Sequence, residues 1–422
     1  MTTEVTGPRK GRIFYGYYLV AATFVFMLIC IGCGSYAFSL FVRPLEASFG
    51  WGRGQVMLGF TIFFLTMGVT SPVVGRFVDT YGARTVIPLG AVVMGAGFVI
   101  VSQMSQLYLF YLGYVLIGTG ASGMGQVPSS AIISNWFKKR RGAAIGFMSA
   151  GIGVGGFVMA PVVGYLITEY GWRTAYFSMA VIIWVVSIPL ALLVVRTKPS
   201  EMGLYPDGGS QPVQAVPGAP VVADTPGFTL KQAMRTPAFW FIFASFLFGC
   251  FSGMGLTQTP VPFFGDIGYP AQLAAAALGA AGVASAVGKI TFGWLCDRMQ
   301  PKRAWAIGLA LQAAAALVLL NINTGSSPML IWMWAVLLGL GSGAWLPTLS
   351  MLGSTNFGLL AYGAIFGALN LAQSAGAATG PFFAGLMYDA TGTYRWVFVT
   401  FALIYIIAIP AILLVKRPRA LH

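Results

Sequence analysis

The sequence predicts an all-α membrane protein with twelve transmembrane helices in two pseudo-symmetric six-helix bundles. Of its 422 residues, 57% are apolar and only 8% are charged, whereas a soluble domain carries about 25% charged residues. So few charged side chains cannot cover the surface of a soluble fold of this size, and the bilayer must be the solvent for most of the chain. A series of apolar runs and an internal repeat then predict how the helices are arranged.

Twelve apolar runs are each long enough to cross a bilayer, which takes about 20 residues in a helix. They divide into two sets of six at the polar segment 197–236, whose Pro, Gly and Asp content is typical of a flexible cytoplasmic linker. The expected domains are an N-terminal bundle in 1–196 and a C-terminal bundle in 237–422. The runs, numbered span 1 to span 12, are 14–42, 55–77, 85–104, 107–134, 143–168, 174–196, 237–263, 272–295, 305–322, 329–353, 361–386 and 396–415.

The distribution of basic residues predicts that both chain termini are cytoplasmic. In that orientation most Lys and Arg side chains, including the run 138–141, lie on the cytoplasmic side, in agreement with the positive-inside rule. The same pattern accounts for the formal charge of +14 without a nucleic-acid partner. The single histidine is the terminal His422 and the four cysteines lie in or beside apolar runs, so neither a metal site nor a cofactor is expected.

An internal repeat relates the two sets of six spans. The sequence GRFVD at 75–79, after span 2, recurs as GWLCD at 293–297, after span 8, and Pro161 of span 5 recurs as Pro381 of span 11. Two parallel six-helix halves of this kind enclose a central pathway, with the substrate site near the middle of the membrane where the halves meet.

The loop sequence GRFVDTYGAR at 75–84 resembles the loop 2–3 signature of the major facilitator superfamily. A narrower resemblance, to the oxalate/formate antiporter and bacterial monocarboxylate transporter group, is carried by MRTPAFW at 234–240, FGW at 49–51 and YGY at 15–17. The resemblance implies the major facilitator fold and a secondary transporter that works by alternating access. No nucleophile–base pair or set of metal ligands occurs at usable spacing, so an enzyme is not expected.

Lys289 is the most informative residue because it is a charge placed deep in an apolar run. It precedes Asp297, at the cytoplasmic end of span 8, by eight residues, or about 12 Å of helix. A charge at such a depth costs at least about 2.5–3.5 kcal/mol and marks a substrate or ion route. We expect a fixed cation that meets an anionic substrate; the alternative is a lysine whose amine extends back to the cytoplasmic interface.

The resemblance sharpens the expectation for the substrate. The antiporter and monocarboxylate group usually carries a carboxylate-binding arginine at the place of Lys289, and an accompanying aspartate corresponds to Ser285. Two further basic positions of the relatives correspond to Leu40 and Leu369. A single buried cation balances a single carboxylate, which favours a monocarboxylate over oxalate or another dianion.

Polar and aromatic residues at comparable depth are candidates to complete the substrate pocket. Tyrosine hydroxyls and side-chain amides can bind carboxylate oxygens or a substrate hydroxyl, although the alternative is ordinary hydrogen bonding between helices. Tyr36 resembles an aromatic residue that lines the site in the relatives. The full set is Tyr36, Gln126, Trp345, Phe366, Asn370 and Gln373.

Asp79 and Asp297, at the cytoplasmic ends of spans 2 and 8, are the candidate gating residues. Each carboxylate can accept backbone N–H bonds from a neighbouring helix end and pair with basic loop residues, closing the cytoplasmic side in one state. The expected basic partners are Arg84, Arg140 and Arg141. The alternative is that both aspartates serve only topology and capping.

The sequence therefore favours a monomeric, multi-pass carrier of the bacterial inner membrane that moves a small organic anion by symport with a proton or by anion exchange. A drug or hydrophobic-compound exporter is the first alternative, suggested by the aromatic content and the glycine-rich span 5. That function calls for an acidic residue in the cavity, and no Asp or Glu lies within a span core. A membrane sensor that binds its ligand without transport is the second alternative.

Overall fold

The computed structural model describes residues 14–208 and 227–418, and both chain termini, including His422, lie outside these ranges. Ten helices in the described part are long and apolar enough to cross a membrane. One of them, Arg141–Val194, contains two spans, because Gly171 breaks the helix with a φ of +80°. Together with the 30-residue helix Tyr362–Thr391, these make twelve spans, so the prediction of an all-α, twelve-helix fold is confirmed.

The N-terminal half contains spans 1 to 6. A π-helical turn interrupts span 1, a second one interrupts span 6, and span 4 breaks at Gly125, whose backbone angles are not helical. The helices are Gly16–Ile31, Gly32–Tyr36 and Phe38–Phe49 in span 1, Arg53–Tyr81 in span 2, Ala83–Gln103 in span 3, Leu107–Met124 and Gln126–Trp136 in span 4, and Arg141–Ile182, Ile183–Ser187 and Ile188–Val194 in spans 5 and 6.

The C-terminal half contains spans 7 to 12, preceded by the short helix Leu230–Met234, whose first turn is capped by the Thr229 side chain. Span 10 is interrupted at Ala344, which nearly corresponds in the internal repeat to Gly125, where span 4 is interrupted. The helices are Pro237–Gln258 and Pro260–Asp266 in span 7, Ala271–Arg298 in span 8, Pro301–Leu320 in span 9, Met329–Gly343 and Trp345–Phe357 in span 10, Tyr362–Thr391 in span 11 and Arg395–Leu413 in span 12.

Helix pairing repeats between the halves. Span 1 packs on span 5 and span 2 on span 4 in the first half, while span 7 packs on span 11 and span 8 on span 10 in the second. The halves meet along two seams. The contact between spans 2 and 11 is called the 2–11 seam, and the contact between spans 5 and 8 is called the 5–8 seam. The internal repeat of the sequence is therefore also a repeat of the packing.

Both seams are tightly packed on the predicted cytoplasmic side. A Cβ atom at Gly75 would collide with the carbonyl of Gly363, and one at Gly146 would lie 2.6 Å from the carbonyl oxygen of Lys289. Nearer the opposite ends of spans 5 and 11, a Cβ atom at Gly164 or Gly385 would meet no atom within 4 Å. The two halves are therefore in close contact at the ends of the seams marked by Asp79 and Asp297.

The described ends of the segment 197–236, the predicted linker, form hydrogen bonds with the bundles. The Thr197 hydroxyl accepts a 2.8 Å hydrogen bond from the backbone N–H of Ala83. At the other end, the backbone N–H of Phe228 donates to the carbonyl of Phe357 over 2.8 Å. Hydrogen bonds of this kind need partners from distant parts of the chain, which composition does not reveal; residues 209–226 lie outside the described ranges.

Candidate functional site

Lys289 lies in the 5–8 seam with its side chain only 8% exposed. Its Nζ donates a 2.7 Å hydrogen bond to Oγ of Ser285, and Oγ of Ser342 in span 10, which also bonds to the carbonyl of Gly339 over 2.9 Å, lies 3.1 Å from the same oxygen. Ser285 lies one turn farther from Asp297 than Lys289 does. The amine therefore reaches towards the middle of the membrane, as helical side chains lean towards the helix N-terminus, and not towards the cytoplasmic interface.

The Lys289 cluster, which consists of Lys289, Ser285 and Ser342, is rich in hydrogen-bond donors. A lysine ammonium has three donors, and within the described residues only the one to Ser285 is used. No carboxylate oxygen of those residues lies within ion-pair distance of the ammonium. A buried cation with unused donors and no counter-charge can bind a carboxylate through charge-assisted hydrogen bonds.

A second polar cluster lies in the 2–11 seam and consists of Ser71, Ser122 and Asn370. The Asn370 amide, on span 11, donates from Nδ2 to Oγ of Ser71 over 3.0 Å, and so joins the two halves. Oγ of Ser122 in span 4 lies 3.2 Å from the same oxygen. Asn370 is 1% exposed, and its Oδ1 has no hydrogen-bond partner among the described residues.

Gln126 and Gln373 are both buried, and each lies within four residues of a member of this second cluster in the sequence. Gln126 begins the second helix of span 4, directly after the break at Gly125, and Gln373 follows Asn370 on span 11. Each side chain is 9% exposed. In the described part of the chain, Oε1 of each glutamine lacks a donor.

The aromatic candidates are in three different environments. Tyr36 belongs to the π-helical turn of span 1 and is 43% exposed. The Trp345 indole N–H donates to Oε1 of Gln312 over 3.2 Å inside the C-terminal half. Phe366 is fully buried and stacks on Tyr362 with a centroid distance of 5.7 Å. Of the three, Tyr36 has the most exposed side chain, and its ring lies beside Gly156 of span 5.

The two candidate gating aspartates occupy equivalent places in the two seams. Asp297 accepts hydrogen bonds from the backbone N–H groups of Gly142 (2.7 Å) and Ala143 (2.8 Å), at the start of span 5. Asp79 accepts from Gly363 (2.8 Å) and Ala364 (2.9 Å), at the start of span 11. Each carboxylate thus caps the positive end of a helix that belongs to the other half.

Among the described residues neither aspartate forms a direct ion pair with the expected arginines, although Arg141 and Asp297 attract each other over a longer distance. Arg84 donates from Nε and Nη2 to the carbonyl of Leu192 in its own half, at 3.2 and 2.9 Å, and Arg141 donates from Nε to the carbonyl of Phe137 at 2.9 Å. Arg140 provides the residue before the first turn of span 5. Among the described residues, no Lys or Arg nitrogen lies within 4.0 Å of either carboxylate, because helix N–H groups already occupy the carboxylate oxygens.

The family model of the Major Facilitator Superfamily matches residues 24–380. The chain belongs to this superfamily. It is 25% identical to the oxalate:formate antiporter of Oxalobacter formigenes over 64% of this chain and 60% of that protein, so the match spans less than two thirds of the antiporter. It is 24% identical to monocarboxylate transporter 12 of Mus musculus over 95% of this chain and 85% of the transporter.

Solved structures agree with the fold of this superfamily member. A crystal structure of the E. coli fucose:proton symporter FucP has a TM-score of 0.71 and 13% identity, covering 96% of this chain and all of that one. The human organic anion transporter MFSD10 has a TM-score of 0.69 and 14% identity, covering 94% of this chain and 99% of that one. Family and fold are those of membrane transporters and not of enzymes.

Sequence reasoning overlooked three polar residues of this superfamily member, Ser71, Ser122 and Ser342. Isolated serines in a transmembrane helix are common, and their hydroxyls usually bond within their own helix. The internal repeat contained a usable signal. Ser71 precedes Asp79 by the same eight positions by which Lys289 precedes Asp297.

Proposed function

We propose that the chain is a secondary transporter that moves a small organic anion, a monocarboxylate, across the membrane by alternating access. The observation that carries the proposal is the Lys289 ammonium. It is buried at about 12 Å of helix from the cytoplasmic end, between the two halves, with unused donors and no carboxylate partner among the described residues. Burying such a charge in a membrane costs free energy, and binding of an anion to the ammonium offsets that cost.

The number of charges favours a monoanion. One lysine at this depth balances one carboxylate, while Leu40 and Leu369 stand at the places where the resemblance implies further basic residues. The name of one relative refers to oxalate and formate and that of another to monocarboxylates. Both names are consistent with a carboxylate substrate, and the charge balance selects a single carboxylate.

Alternating access would follow from the two seams. Closure on one side involves the Asp79 and Asp297 hydrogen bonds to the other half, and an inward-opening movement must break them. Coupling is then symport with a proton carried by the substrate or exchange of one anion for another, since the span cores offer no carboxylate relay. The proposed setting is the bacterial inner membrane, with both termini cytoplasmic and one chain as the functional unit.

Transport by the purified protein in proteoliposomes tests the proposal. Uptake of labelled formate, acetate, lactate and oxalate is compared for the wild type, Lys289→Gln and Lys289→Arg. Lys231→Gln removes the same charge from the exposed helix before span 7 and is the matched control. We expect Lys289→Gln to lower monocarboxylate uptake by about 100-fold, the effect of losing a charge-assisted contact, and Lys289→Arg to retain part of it.

Three outcomes contradict the proposal. The first is Lys289→Gln protein that transports monocarboxylates with wild-type rate and affinity. The second is a wild type that prefers oxalate. The third is a wild type without anion uptake that instead protects cells from lipophilic cations, as the exporter alternative requires.

A further inference from the structure

We propose that the Asn370 cluster of Ser71, Ser122 and Asn370 is a second, neutral end of the substrate site. It selects monocarboxylates that carry a hydroxyl or another hydrogen-bond donor at the end remote from the carboxylate. The inference rests on the proposed function, because it takes Lys289 as the site of the carboxylate. It adds the chemistry of the substrate's other end and the orientation in which the substrate binds.

The repeat places the two clusters at corresponding positions in the two halves. Ser71 and Lys289 each stand eight positions before the aspartate that ends the span (79 − 71 = 8 and 297 − 289 = 8). They therefore share a depth of about 12 Å from that end. Ser122 likewise corresponds to Ser342, since the two are separated by the same 220 positions as Pro161 and Pro381 (342 − 122 = 220 and 381 − 161 = 220).

The hydrogen bonds of the Asn370 cluster fix the direction of its amide. The Ser71 hydroxyl donates its one proton to the carbonyl of Met67 over 2.7 Å. Its oxygen must then accept from its other neighbours, so the Asn370 group that faces it at 3.0 Å is the NH₂ group. The Asn370 carbonyl oxygen consequently points elsewhere, and within the described residues it has no donor.

Two further buried acceptors lie close to this cluster in the sequence. Oε1 of Gln373 on span 11, and Oε1 of Gln126, which directly follows the break of span 4 at Gly125, also lack donors in the part of the chain that the structure describes. Buried acceptors without partners are rare in native proteins and call for an explanation. These three are the amide oxygens among the nine buried side-chain atoms that lack a partner in the described residues, and an amide oxygen can only accept.

The clusters thus have opposite hydrogen-bonding character. The Lys289 cluster offers unused donors, and the Asn370 cluster with its two glutamines offers unused acceptors. A carboxylate carries only acceptors, so it is favoured at Lys289 and disfavoured at Asn370. An O–H or N–H group at the far end of the same molecule satisfies the carbonyl oxygens that remain.

A purely structural role does not account for the unpaired oxygens. The bond between Asn370 and Ser71 holds spans 2 and 11 together, but two apolar side chains of the same shape would do so without burying an unsatisfied acceptor. A ligand that donates to Oδ1 gives the amide a function that packing alone does not require.

Binding of matched acids to the purified full-length protein tests the inference. The probes are unsubstituted monocarboxylates of three to six carbons and their terminally hydroxylated analogues, such as butyrate and 4-hydroxybutyrate, measured by calorimetry. We expect the wild type to bind the hydroxylated acid of the best-fitting pair about 10-fold more tightly, as one satisfied buried hydrogen bond allows. 2-Hydroxybutyrate, with its hydroxyl beside the carboxylate, should not gain this advantage.

In Asn370→Leu, which keeps the side-chain volume, the preference for the hydroxylated acid over the unsubstituted acid should fall to about twofold or less. Asn356→Leu is the matched control, because the Asn356 amide bonds only to the carbonyl of Leu352 on its own helix; it should keep the wild-type preference. If Asn370→Leu does not fold, Ser71→Ala takes its place, since it removes the oxygen that orients the amide and should reduce the preference several-fold.

The outcomes separate this inference from the proposed function. A wild type that binds both acids of every pair equally, or an Asn370→Leu or Ser71→Ala protein that keeps the wild-type preference, overturns the inference. Lys289→Gln is measured beside them. If Lys289→Gln binds neither acid and Asn370→Leu keeps the wild-type preference, the proposed function stands and the inference is wrong. Unchanged binding of both acids to Lys289→Gln, or a wild type that binds no monocarboxylate, overturns both proposals.

Discussion

The two seams between the halves are built alike at their ends and differently in their middles. At the predicted cytoplasmic end of each, an aspartate caps the first turn of a helix from the other half, through N–H bonds of 2.7–2.8 Å from span 5 and 2.8–2.9 Å from span 11. Two turns deeper, the 5–8 seam carries Lys289 and the 2–11 seam carries Ser71. The two repeats share the aspartate that caps a helix of the other half, but they differ at the deeper position, which is a lysine in one repeat and a serine in the other.

Under the two proposals above, closure and selectivity are set by separate positions. Closure needs the same contact twice, because both seams must shut together. Recognition of an elongated substrate with unlike ends needs two unlike surfaces, which a strictly symmetric site cannot provide. Four predictions examine this division, ordered from the largest expected effect to the smallest.

The largest effect on uptake is expected from placing a side chain at Gly363, where the backbones of spans 2 and 11 touch. A Cβ atom at Gly363 would lie 2.8 Å from Oδ1 of Asp79 and still closer to the carbonyl of Gly75. In Gly363→Val the seam cannot close, and we expect uptake in proteoliposomes to fall about 100-fold. Gly385→Val on the same helix, where nothing lies within 4 Å, should keep most of the activity. Equal losses in both variants would refute the closed seam.

Neutralising either aspartate should weaken closure by a similar, smaller amount. Asp79→Asn and Asp297→Asn each lose a carboxylate that accepts two backbone N–H bonds. Bonds to a charged group contribute about 1.5–3 kcal/mol, so the population in which the halves are in contact at this end should fall about 10- to 100-fold relative to the population in which they are apart. Distances between spin labels on the cytoplasmic ends of the seam helices measure this shift. An effect in only one variant would show that the seams are not equivalent.

Removing a neutral hydroxyl from the Lys289 cluster should affect affinity more than closure. Ser342→Ala removes the 3.1 Å hydrogen bond to Ser285, the residue that holds the Lys289 ammonium. We expect KM for monocarboxylates to rise about 3- to 10-fold, with kcat nearly unchanged. A loss of kcat at constant KM would instead place Ser342 in the conformational change.

The smallest effect is expected at Arg84, which the sequence suggested as a partner of Asp79. Its guanidinium is exposed and bonds to the carbonyl of Leu192 within its own half. Arg84→Gln should change the stability by less than about 0.5 kcal/mol and leave uptake at the wild-type level. Thermal unfolding and flux measure both quantities. A loss of transport comparable to that of Asp79→Asn would mean that Arg84 pairs with Asp79 in another state.

Residues whose environment is visible in the linear pattern were the easiest to predict. Lys289 interrupts an apolar run, so its depth and its cost follow from helix geometry alone. Asp79 and Asp297 end such runs, and a carboxylate there is expected to cap a helix end. The partners of these groups were harder. Arg84 is near Asp79 in sequence, yet it lies at the start of span 3 and bonds to span 6.

The sequence by itself determined the number of spans, the division into two halves and the place of the single deep charge, because each of these depends on local hydrophobicity and periodicity. Only the tertiary structure decided that Ser71, Ser122 and Asn370 meet, that Trp345 bonds to Gln312 while Phe366 is fully buried, and that the two halves make close contact at Asp79 and Asp297. Those features depend on which helices become neighbours, and this is set by packing between segments far apart in the chain.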